Sequence, residues 1–135
     1  MKIQALLVAM VLFVSSSAFA ADQMSEGLWE IKTTISIPNM PVNIPPQTIK
    51  HCYTKEDVKD KKNVVATQNK DCTVKDMKMS GNKMTWEMVC TGAQKGTFSG
   101  ETIFAKDSYN SKMKMVSGGQ TTDMKIAAKR LGECP

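Results

Sequence analysis

From Gly27 to Ile37 the chain alternates. Trp29, Ile31, Thr33, Ile35 and Ile37 fall on one side, and Glu30, Lys32, Thr34 and Ser36 on the other. A period of two predicts a strand with one buried face. Pro38, Pro41, Pro45 and Pro46 then punctuate an extended connection, because proline has no N–H to offer a central ladder. Gln47 to Tyr53 predicts a second strand. Thr54 is placed to cap a helix, with Asp57 at the third position of a capping box, and the pattern predicts one short helix over 54–62. Asn63 to Asp71 reads as a polar link.

The best-defined unit follows. Ser80-Gly81-Asn82-Lys83 puts Gly first in a two-residue loop, as a type II′ hairpin turn requires. Pairing Ser80 with Lys83 sets Met79 against Met84, Met77 against Trp86, Lys75 against Met88 and Thr73 against Cys90. One face then carries Met77, Met79, Met84, Trp86, Met88 and Cys90, and the other Asp76, Lys78, Thr85 and Glu87. A slip of one residue scatters the methionines, so the register is well specified. Gly96 to Ala105 and Tyr109 to Ser117 predict two more strands, turning near Asp107-Ser108. A tight turn at Gly118-Gly119 sets Met113 against Met124 and Met115 against Thr122. About seven strands, mostly joined by hairpins, predict a mainly β domain: one antiparallel meander sheet curled towards a half-barrel, or a small sandwich.

The first twenty residues follow a different pattern. Lys2 precedes an apolar run from Ile3 to Val14, then come Ser15, Ser16 and Ser17, and Ala18-Phe19-Ala20 offers small residues at the cleavage positions. This is the pattern of a secretory signal peptide, cut between Ala20 and Ala21. The run is about 12 residues, short of the roughly 20 that span a bilayer. No later segment is apolar enough to span. The expectation is a cleaved segment 1–20, a single domain 21–135, and a periplasmic or secreted address in a bacterial cell envelope.

That address decides how the cysteines read. Cys52, Cys72, Cys90 and Cys134 all lie in the mature part, and an even count in a small exported chain predicts two disulfides. The predicted hairpin register places Cys72 and Cys90 on opposite faces, which disfavours joining them. Cys52–Cys72 with Cys90–Cys134 is the preferred pairing. No Cys-x-x-Cys occurs and His51 is the one histidine, so zinc and thioredoxin-like chemistry are poorly supported. Oxidised cysteines also remove a Cys52–His51 nucleophile.

The formal charge of +5 falls to +4 with the loss of Lys2, and the lysines are spread along the chain. Nucleic-acid binding needs a clustered basic face and is not expected. No nucleophile elbow, metalloprotease motif or phosphate loop is present.

Methionine is the compositional oddity. Met77-x-Met79 and Met113-x-Met115 repeat on one strand face. Alternate strand residues share a face, so the plain reading is a core stripe. Trp29 and Trp86 read as core in the same way. A functional reading makes the face of Met77, Met79, Met84, Trp86, Met88, Met113, Met115 and Met124 a surface for an apolar or lipid-like ligand. An alternative uses Met77, Met79, Met113, Met115 and His51 for copper or another soft metal, since thioethers suit Cu(I).

Several residues carry a resemblance. Gly27-Leu28-Trp29-Glu30, Asn39-Met40-Pro41, Cys52, Cys72, Gly81, Trp86-x-x-x-Cys90 and Arg130-Leu131-Gly132-Glu133-Cys134 make nearly the whole mature chain resemble the exported bacterial domain-of-unknown-function family 3617. The resemblance implies a small exported single-domain protein and carries no activity, ligand or catalytic residue.

The reading is a disulfide-stapled β protein that acts as a non-catalytic binding module for an apolar small molecule or an envelope protein. No cofactor and no catalytic residue are expected. An enzyme is the least supported reading, because no spacing among the 13 acidic residues proposes a catalytic pair.

Overall fold

The computed structural model describes residues 24–65 and 70–135. The predicted signal segment 1–20 lies outside them.

Alternation becomes sheet throughout. The strands are β1 (Gly27–Ser36), β2 (Gln47–Tyr53), β3 (Cys72–Ser80), β4 (Lys83–Cys90), β5 (Gly96–Phe104), β6 (Ser108–Ser117) and β7 (Gln120–Gly132). They form one antiparallel sheet in the order β2-β1-β7-β6-β5-β4-β3, left open between β2 and β3. The hairpin glycines act as their turns require. Gly81 has φ 60° while Asn82 stays negative, as in type II′; Gly118 and Gly119 are both positive, as in type I′.

Between the two edge strands the chain makes two helices, α1 (Lys55–Lys59) and α2 (Lys62–Val65). Thr54 and Asp57 form the predicted capping box. The single helix over 54–62 is corrected in two respects. Asp60 leaves helical geometry, and its carboxylate accepts from the Lys62 amide at 3.0 Å, starting a second helix. Val64, assigned to a polar link, is buried in the core.

The cysteine pairing is also corrected. The bridges are Cys72–Cys90 and Cys52–Cys134. The predicted β3–β4 register holds from Ser80↔Lys83 to Asp76↔Glu87 and then shifts between Val74 and Asp76. Lys75 is the extra residue of a β-bulge, and every residue before it changes face. Val74 replaces Lys75 opposite Met88, and Cys72 comes opposite Cys90 with Cα atoms 4.0 Å apart.

The core lies on the concave side. Its floor is Trp29, Tyr53, Phe104, Tyr109, Met84 and Met24, all buried. Gly100 shows how tightly the sheet curls, because a Cβ there would lie 2.6 Å from the Lys112 carbonyl oxygen and 3.0 Å from the Trp86 ring. Gly100→Ala is therefore expected to cost about 1–3 kcal/mol through overpacking, read by urea unfolding. An unchanged midpoint would show that the β5–β6 backbone and Trp86 both give way freely.

Candidate functional site

All seven strands and α2 contribute side chains to one cavity on the concave side, with a volume of about 260 Å³. Register places its walls. Met88 sits opposite Phe98, Gly100 opposite Met113, and Met113 opposite Met124. Ile126 faces Thr33, and Ile31 faces Ile49 on the edge strand. Val64 and Val65 of α2 close the gap between the sheet edges, beside Cys72 and Cys90. No charged side chain among the described residues lines this cavity.

The buried polar side-chain atoms described in and beneath the walls are already engaged. Trp86 Nε1 donates to Thr102 Oγ1 at 3.2 Å, and Thr102 shares a 2.7 Å hydrogen bond with Ser111. The Tyr53 and Tyr109 hydroxyls are 3.0 Å apart and share another. Burial, with the neighbouring Tyr53, pushes the Tyr109 hydroxyl far above its ordinary range. Burial raises Tyr53 as well. At the floor, Lys61 Nζ lies 5.2 Å from the Phe104 ring centre and donates to the Val58 carbonyl at 2.6 Å. Its burial lowers its pKa.

A pH dependence follows. Both tyrosines have raised native values, so their contribution to stability is complete below the unfolded value of about 10. Above that, the unfolded chain ionises first and stability falls. Wild type is expected to lose more stability than Tyr109→Phe between pH 9 and pH 11. The comparison by urea unfolding separates this effect from lysine titration, and equal losses would refute it.

The sequence-selected residues distribute unevenly. Trp86, Met88, Met113 and Met124 line the cavity. Met84 is fully buried in the floor, while Met77 packs against the core from β3. Met79 stays 48% exposed on the edge strand, and Met115 lies opposite Phe98. Met77 and Met79 on β3 are separated from Met113 and Met115 on β6 by two intervening strands. His51 stands on β2 with its ring 4.6 Å from Tyr53. Sequence reasoning missed Phe98, Tyr109, Ser111, Ile126, Val64 and Val65. The alternation of Phe98, Gly100, Thr102 and Phe104 was the available signal for the first of these.

The terminal motifs meet in space. Arg130 Nε donates to the Glu26 carbonyl at 2.7 Å, and its guanidinium pairs with Glu133. Gly27 has φ 134°, and a Cβ there would fall on the Gly132 carbonyl oxygen. The Gly-x-Trp start, the Arg-Leu-Gly-Glu-Cys end and the Cys52–Cys134 bridge thus form one closure of β2, β1 and β7.

A model of a protein family of unknown function, DUF3617, matches residues 24–134. The chain belongs to the DUF3617 family. Curated proteins and solved structures give no match. In this DUF3617 protein, Gly27, Trp29, Arg130, Gly132 and Cys134 all have structural tasks in the closure. The cavity is walled by other residues.

Proposed function

We propose that this DUF3617 protein is an exported, non-catalytic binding module that holds an apolar or lipid-like ligand in the concavity of its sheet. The observation that carries the reading is a cavity of about 260 Å³ with an uncharged lining and satisfied wall hydrogen bonds. Ligand pockets are typically concave and mostly apolar, from about 300 Å³ upward. A volume just below that range favours a slim ligand such as a single acyl chain. Methionine suits such a site because its flexible thioether re-packs around varied shapes.

The Lys2 to Ala20 pattern and the two disulfides support export. No helix among the described residues is long and apolar enough to cross a membrane.

The test is native mass spectrometry of protein taken from its own periplasm, together with decanoate titration of delipidated protein. We expect a co-purifying apolar species and saturable decanoate binding. Met113→Gln keeps the side-chain length and adds an amide to the cavity wall. It is expected to weaken decanoate binding by about tenfold. Failure of wild type to bind decanoate, with nothing co-purifying, would overturn the reading.

A further inference from the structure

The convex face carries a second concavity. A groove of about 560 Å³ crosses β4 to β7, lined by Ser99, Glu101, Lys112, Lys114, Asp123 and Lys125 among others. Its acids are already engaged. Glu101 pairs with Lys83 at 2.8 Å, and Asp123 pairs with Lys114 at 3.6 Å.

Lys112 and Lys125 remain. They are directly opposite each other in the β6–β7 register, and neither forms an ion pair among the described residues. On its other side Lys125 faces Thr34. Lys112 faces Glu101, whose carboxylate is held by Lys83 and drawn further below its ordinary range by the Lys112 charge without an ion-pair contact between them. Like charges directly opposite on a sheet repel. The repulsion becomes attraction when an anion sits between them. The anionic oxygens of one phosphate can face both ammonium groups, and lysine binds phosphate as a flexible point charge.

We propose that this groove is a binding site for a phosphate group, with Lys112 and Lys125 as its two cationic arms and the Ser99 hydroxyl as a further donor. The two lysines project from the face opposite the apolar cavity, and the backs of Met113 and Met124 contribute to both linings. The phosphate belongs either to a lipid headgroup, where it is a monoanionic diester, or to a soluble compound, and in both cases the two lysines pair with its anionic oxygens.

The test is an amide NMR titration of the mature protein with inorganic phosphate, alongside sedimentation with phosphatidylglycerol or phosphatidylcholine vesicles. A soluble source predicts saturable phosphate shifts centred on Ser99, Lys112 and Lys125. A lipid source predicts pelleting with phosphatidylglycerol vesicles and not with phosphatidylcholine. Either response should weaken by about tenfold in Lys112→Gln/Lys125→Gln and persist in Lys59→Gln/Lys62→Gln, which removes equal charge from the helices. The double variant should also unfold at a slightly higher temperature without phosphate, because the like-charge pair is gone. Neither response in wild type, shifts centred elsewhere, or binding equally weakened in both double variants would overturn the proposal.

Discussion

Replacing Cys52 and Cys134 together by serine is expected to lower stability by about 4.5 kcal/mol, against about 3 kcal/mol for Cys72 with Cys90. The difference follows from loop length. Cys52 and Cys134 are 82 residues apart in sequence, and Cys72 and Cys90 are 18 apart. In the chain-entropy model, a cross-link stabilises by restricting the unfolded chain, with a logarithmic dependence on the loop it closes. The long bridge encloses most of the domain and ties the end of β2 to the segment after β7. Loss of about 4.5 kcal/mol removes much of the roughly 5–15 kcal/mol that holds a domain together. Urea unfolding of both double variants measures the costs. Peptide mapping without reductant checks the pairing, and linked Cys52–Cys72 peptides would contradict this structure directly. Equal costs for the two variants would show that native-state contacts, and not loop closure, dominate.

The pairing also shows where sequence reasoning reached and where it stopped. Strand periodicity and turn glycines were enough for seven antiparallel strands, and two hairpin registers followed from Gly81 and from Gly118-Gly119. The bulge at Lys75 was not legible, because nothing in Thr73-Val74-Lys75-Asp76 distinguishes a bulged residue from a paired one. That one residue reversed the facing of Cys72 and with it the predicted connectivity. Val64 and Val65 were hidden for another reason. A four-residue helix is too short to show a period, and only closure of the β2–β3 gap gives those valines a core to enter. The methionine face was legible as a face. Its division into floor, cavity wall and exposed edge depends on how far the sheet curls, and alternation within a strand carries no information about curvature.

Trp29→Ala is expected to destabilise the protein by about 3–5 kcal/mol, the usual range for removing a buried tryptophan. Trp29 is fully buried, with its ring 5.6 Å from Tyr109 and 6.1 Å from Tyr53. Its Nε1 donates to the Ser25 carbonyl at 3.1 Å, and the Ser25 amide donates to the Lys106 carbonyl at 2.9 Å. The tryptophan therefore fills the floor and pins the segment before β1. Trp29→Phe separates these tasks. It retains most of the apolar area, loses the indole donor, and is expected to cost about 1 kcal/mol plus a smaller packing term. Urea unfolding of the two variants reads the difference. A Trp29→Ala cost below about 1 kcal/mol would mean that the floor is not packed as described. The same measurement on Met113→Gln bears on function. Met113 is half-buried in the cavity wall, so its exchange should change stability much less than ligand binding. A floor that carries stability beneath walls that do not is what a site open to an apolar ligand requires. If Met113→Gln instead costs as much as Trp29→Ala, the methionine face is packed core from floor to rim.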